Sequence, residues 1–166
     1  MLLRTTRQLP VQFLIATRTA PTKSFQHFAI FAKSRNYSKM STGIKQISTD
    51  KAMKPVAAYS QAVNAGGLIF VSGQIPAKAD GTLVTGSIAD QTTACIEGLK
   101  NILEAAGSSI AKVTKVTVFI TSMDNFAEMN SVYEKYFGEH KPARSCVAVK
   151  ELPKGVPVEV EAIALA

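Results

Sequence analysis

The run Ala143-Arg144-Ser145-Cys146-Val147-Ala148-Val149 carries one strong charge among small and apolar residues. Read with a period of two, it puts Arg144, Cys146 and Ala148 on one face of a strand and Ser145, Val147 and Val149 on the other. A guanidinium at the head of such a strand needs a carboxylate. Two kinds are open: a glutamate of the protein, giving a salt bridge, or the carboxylate of a ligand held by two parallel hydrogen bonds. Further on, Glu159 and Glu161 alternate with valines. At a sheet edge they would face solvent. In a cleft, such a carboxylate could orient or activate water. Asn130 lies at i+4 from Phe126 and i−3 from Tyr133, on an apolar helical stripe, where its amide must find a hydrogen-bond partner, most often nearby backbone. Tyr59 shares a strand face with Gln61 and Val63 and reads as a core or interface tyrosine. Ser72-Gly73-Gln74 ends a strand on a glycine, where backbone can approach a ligand closely.

Other chemistries are poorly supplied. The two histidines are His27, in the N-terminal segment, and His140, beside Lys141-Pro142 in a predicted loop. A His-based zinc site is therefore not expected, and a Ser-His-Asp triad would have to use His140. Cys95 and Cys146 have no CxxC spacing, which suits a reducing interior compartment. Neither GxxxxGK[ST] nor GxGxxG occurs, so we expect no cofactor and no metal. Cys146 could be a nucleophile, but nothing in the sequence stands as its paired base.

The elements that must position these residues follow from pattern. A short strand is predicted at Ile44 to Ile47. Tyr59 to Asn64 and Leu68 to Gly73 form a hairpin turned by Gly66-Gly67. Ser87 and Asp90 make a capping-box pair for a helix whose apolar residues run from Ile88 to Ala106, stopped by Gly107. Lys112 to Thr121 alternates as a strand. A second helix runs from about Asp124 to Phe137, and strands at Arg144 to Lys150 and Val156 to Leu165 end the chain. The order ββ-α-β-α-ββ predicts an α+β fold, a mixed β-sheet with two helices on one face. The last strand has apolar residues on both faces: Val158, Val160, Ala162 and Ala164 on one, Ile163 and Leu165 beside Glu159 and Glu161 on the other. The uncovered face is therefore expected to be buried by oligomerisation.

The net charge of +7 is not spread evenly. Residues 1–40 hold Arg4, Arg7, Arg18, Lys23, Lys33, Arg35 and Lys39 and no acid, whereas residues 41–166 carry 12 bases and 12 acids. A basic, acid-free segment with scattered large apolar residues and no apolar run long enough for a membrane span reads as a mitochondrial presequence, with a disordered basic tail as the alternative. Residues 41–166 read as one domain. Arg35-Asn36-Tyr37-Ser38 has the pattern of a matrix-protease site, and Met40 offers an internal start that would give a cytosolic form.

Tyr59-Ser60-Gln61-Ala62, Phe70-Val71-Ser72-Gly73-Gln74-Ile75-Pro76, Pro142-Ala143-Arg144-Ser145-Cys146-Val147, Leu152-Pro153-Lys154-Gly155 and Val158-Glu159-Val160-Glu161-Ala162 follow one another with the order and spacing of the RidA (YjgF) family. The resemblance spans about residues 44 to 166, and with the presequence the chain is similar to that family's fungal mitochondrial branch. It implies a chorismate-mutase-like fold, a homotrimer with active sites in the clefts between subunits, and hydrolytic deamination of 2-iminobutyrate and 2-iminopropionate. These arise from the 2-aminocrotonate and 2-aminoacrylate that pyridoxal-phosphate dehydratases release. Their removal would protect such enzymes and support isoleucine biosynthesis. Carried over residue by residue, Arg144 would grip the substrate carboxylate and Glu159 would position water. Tyr59, Gly73, Asn130 and Cys146 would line the pocket, and Glu161 would be structural.

Three other functions compete with a deaminase. One is a regulatory module that binds 2-keto acids or amino acids in the same clefts without turnover. A ribonuclease is another, against which the neutral charge of residues 41–166 argues, so no nucleic-acid partner is expected, and no membrane. A chaperone-like role is the third.

Overall fold

In the computed structural model, which describes residues 43–166, Gly66 and Gly67 both take left-handed backbone angles, φ 60° and 81°. Two successive left-handed residues make the tight turn that a twisted hairpin needs. They join β2 (Ala62–Ala65) to β3 (Leu68–Gln74), and β1 (Lys45–Ile47) pairs antiparallel on the outer side of β2. The predicted presequence lies outside the described residues.

Helix α1 (Ile88–Ala105) starts where expected. The Ser87 hydroxyl accepts from the Asp90 amide at 3.0 Å, and the Asp90 carboxylate accepts from the Ser87 amide at 3.2 Å. Gly107, at φ 77°, turns the chain out of the helix. Next come β4 (Val113–Ile120), α2 (Phe126–Phe137), β5 (Ala143–Ala148) and β6 (Val158–Leu165). The sheet order is β1-β2-β3-β6-β4-β5, with β4 and β5 parallel and every other pair antiparallel. The predicted element order and the mixed sheet with two helices are as observed. The last two strands are shorter than predicted, and residues 123–125 form a 3-10 turn ahead of α2.

Both helices cover the face that carries Ile69, Val71, Val116, Val118, Ile120, Val158 and Val160, all buried. Leu99 and Ile102 of α1 and Met129 and Phe137 of α2 complete this core at 0% exposure. Each such side chain stabilises the fold by roughly 2 kcal/mol relative to exposure. The helices are also tied to each other: the Tyr136 hydroxyl donates to Glu97 at 2.7 Å, and Glu128 accepts from the Ala89 amide at 2.9 Å. The other face keeps Phe70, Val147 and Leu165 exposed beside Glu159 and Glu161. The sheet is thus apolar on both sides, as the alternation in β6 predicts.

The hairpin departs from prediction at its start. Tyr59, Ser60 and Gln61 precede β2 rather than belong to it. The buried amide of Gln61 explains why: Oε1 accepts from the Thr49 amide at 2.6 Å, and Nε2 donates to the carbonyls of Thr49 at 3.0 Å, Ala52 at 3.2 Å and Met53 at 3.0 Å. The lead-in loop packs there in place of a longer strand. Ser72 adds a hydroxyl bond to the Ser60 carbonyl at 2.7 Å.

Candidate active site

On the edge strand β5, Arg144 pairs in register with Val116, whose side chain is fully buried under the helices. Its guanidinium therefore points to the helix side, beneath α2. Nη1 donates to Oδ1 of Asn130 at 2.6 Å. The guanidinium carbon stands 4.5 Å from the centroid of the Tyr133 ring and 5.6 Å from that of Phe126. Among the described residues no carboxylate lies within ion-pair distance of it. The salt bridge to a glutamate, one of the two sequence readings, is thus not made within these residues. The neutral amide Asn130 and two ring faces hold the charge instead. Cys146, two residues on, shares this side of β5. Burial pushes its thiol up, and nearby Arg144 opposes the shift. A thiol held protonated is a poor nucleophile.

Glu159 projects the other way. It pairs with Phe119 on β4, an odd number of residues from Val116, and its neighbours Val158 and Val160 are fully buried on the helix side. Its carboxylate lies in a cleft of about 420 Å³ whose lining includes Tyr59, Gln61, Ser72, Gly73 and Lys154. β3 reaches this cleft through a bulge between Val71 and Gln74, which places Gly73 against the Glu159 side chain. Burial first, and then the like charge of Glu161 on the same face, push the Glu159 carboxyl above the ordinary carboxylate range.

The six residues singled out in the sequence thus fall into two groups. Arg144, Asn130 and Cys146 stand together on the helix side of the edge strand. Tyr59, Gly73 and Glu159 stand together in the cleft on the opposite side. Among the described residues no cluster of His, Cys, Asp and Glu could hold a metal ion, and no helix is long and apolar enough to cross a membrane.

Residues 49–166 match the family model described as endoribonuclease L-PSP, the family also called RidA or YjgF. The chain belongs to the RidA family. It is 51% identical to the protein HMF1 of Saccharomyces cerevisiae over 125 residues, covering 75% of this chain and 97% of that one. It is 41% identical to the mitochondrial protein mmf1 of Schizosaccharomyces pombe over 162 residues, covering 96% and 98%. An Escherichia coli RidA relative at 42% identity carries the provisional name reactive intermediate deaminase TdcF. Its crystal structure, solved with bound serine, superposes with a TM-score of 0.69 over 74% of this chain and 98% of that one.

Several residues around the RidA-type motifs were not foreseen as parts of a site. Tyr133 and Phe126 read in the sequence as core stripe alone. Their spacing around Asn130 was the available signal, because whatever bonds that amide must also meet the flanking rings. Gln61 reads as a strand neighbour of Tyr59 and a member of the Tyr59–Ala62 motif, with no role of its own in the site. Lys154 stands in the sequence only as a member of the Leu152–Gly155 motif, yet it lines the Glu159 cleft with a left-handed backbone, φ 58°.

Proposed function

We propose that this chain hydrolyses 2-imino acids, 2-iminobutyrate and 2-iminopropionate, to 2-keto acids and ammonia in clefts between the subunits of a homotrimer. The observation that carries this reading is the division of the candidate residues between opposite faces of one sheet. A small substrate cannot touch Arg144 and Glu159 of one copy at once. Two copies, each contributing one group, complete a site, and the apolar open face with Phe70 and Val147 offers the surface for their contact. The name of the TdcF relative points the same way.

In that cleft Arg144 holds the substrate carboxylate by a bidentate pair. Glu159 accepts a proton from water as the water oxygen bonds to the carbon of the protonated imine, which gives a neutral carbinolamine. Glu159 passes that proton to the carbinolamine nitrogen, the carbon–nitrogen bond breaks, and ammonia leaves as the hydroxyl proton returns to Glu159 and the carbonyl forms. The imine carbon is already electrophilic, so placement of carboxylate and water supplies most of the catalysis. Tyr59, Gly73, Asn130 and Cys146 line the site. The mitochondrial name of the fission-yeast relative, which matches over nearly the whole chain, supports residues 1–40 as a presequence and the matrix as the location. A reporter carrying those residues should enter the matrix, and a diffuse cytosolic signal would remove that part of the reading.

The test of the site is a mixture. Arg144→Ala and Glu159→Ala copies, each inactive alone, are unfolded together, refolded and assayed on imine made by a threonine dehydratase. Random trimers regain about a quarter of wild-type activity, the fraction of clefts that draw both intact groups. No recovery in verified hybrid trimers would place both groups within one copy and overturn the reading. A second reading, a sensor of amino or 2-keto acids, is favoured by the serine bound in the TdcF structure. Stoichiometric binding without imine loss would select it.

A further inference from the structure

Phe126, Asn130 and Tyr133 stand at i, i+4 and i+7 on α2, so one helical stripe presents a ring, an amide and a second ring to the Arg144 guanidinium. Tyr133 is the nearer ring, at 4.5 Å, and only 8% of its surface is exposed. Its hydroxyl is buried and has no hydrogen-bond partner among the described residues. A buried hydroxyl without a partner costs stability, which a phenylalanine would avoid. The bond to Asn130 occupies Nη1, and the Nε and Nη2 groups have no acceptor among the described residues.

We propose that Tyr133 is a positioning residue, whose ring face holds the Arg144 guanidinium in one plane so that its Nε–Nη2 edge stays free for two parallel bonds to a carboxylate. The ring does this, not the hydroxyl. The Asn130 bond fixes rotation in the plane and the stack fixes the plane itself. A flexible arginine would have to lose that freedom on binding, and the cradle removes it beforehand. The inference rests on the reading of Arg144 as a carboxylate seat.

Isosteric substitution tests it. Tyr133→Phe removes the hydroxyl and keeps the stack. Phenylalanines with increasing ring fluorination, placed at the same position, keep nearly the same shape while weakening the attraction between ring face and cation. Two quantities are followed in the assembled protein: the dissociation constant of 2-ketobutyrate, and by nitrogen NMR the rate at which the Arg144 guanidinium rotates. Tyr133→Phe should bind as wild type and melt slightly higher. The most fluorinated variant should bind about 3- to 30-fold more weakly, with faster rotation, while kcat at saturating imine changes little. A Tyr133→Phe variant that loses binding would give the role to the hydroxyl and overturn the proposal. So would binding and rotation that ignore fluorination. If rotation tracks fluorination but neither imine nor keto acid is bound by the wild type, the cradle stands and the deaminase reading falls.

Discussion

Gly73 and Glu159 share one space: a β-carbon added to Gly73 would overlap Oε1 of Glu159 and stand 2.7 Å from its Cδ. The missing side chain is what lets the carboxylate lie against the bulged end of β3. The colliding atoms are the far end of a side chain, and it can swing away. Gly73→Ala should therefore keep stability within about 1 kcal/mol of wild type while shifting the carboxylate, and a shift of that size lowers imine turnover by roughly 100-fold. Melting curves beside kinetics check both halves, and wild-type turnover in the alanine variant would refute the placement.

Arg144→Lys should fail nearly as badly as Arg144→Ala. Lysine keeps the charge but has no planar fork to stack on Tyr133 while bonding Asn130 and a carboxylate together. Losing a charge-assisted pair in a partly buried site lowers efficiency by roughly 30- to 1,000-fold. Full efficiency in the lysine variant, measured as kcat/KM, would return Arg144 to a structural role.

The raised carboxyl of Glu159 predicts two linked pH effects. Its folded-state value lies above the ordinary one, so the folded protein binds this proton more tightly than the unfolded chain does. The stability it confers is present in acid and lost as pH rises through the folded value. In chain kept below its assembly concentration, where no neighbour's Arg144 faces the carboxylate, Glu159→Gln should therefore melt above wild type at neutral pH, and the gap should close on acidification. The acid limb of kcat/KM should lie above the ordinary carboxylate range and vanish in the residual activity of the glutamine variant. A glutamine variant that melts below wild type at neutral pH would contradict the shift.

Gln61→Leu keeps the bulk of the side chain and removes all four bonds to the lead-in loop. The Thr49 amide and three carbonyls lose their partner, some of them to solvent. A loss of about 2–4 kcal/mol follows, large for one side chain that carries no charge. Chemical denaturation measures it, and a loss under about 1 kcal/mol would show that the loop is held by other contacts.

The elements were legible because their signals are local. Ser87 and Asp90 cap α1, Gly66-Gly67 turns the hairpin, and the alternation of β4 and β6 matches their burial. The start of β2 was not, because Gln61 bonds to loop residues 8 to 12 positions earlier, and no period encodes such a contact. The candidate residues were legible one by one. Their division between two faces follows from register, with Arg144 opposite Val116 and Glu159 opposite Phe119, and register needs three strands in place at once. Tyr133 stayed hidden for a related reason: an aromatic on a helical stripe looks the same whether its face meets a leucine or a guanidinium.

The Gln61 latch also makes one backbone site a reporter. The Thr49 amide donates only to a side chain that is itself held by three carbonyls, so its hydrogen cannot exchange with solvent deuterium unless the latch lets go. Met53, whose carbonyl is one of those three, forms part of the cleft wall around Glu159. Deuterium uptake at Thr49 therefore times the breathing of that wall, from a residue that never touches the cleft.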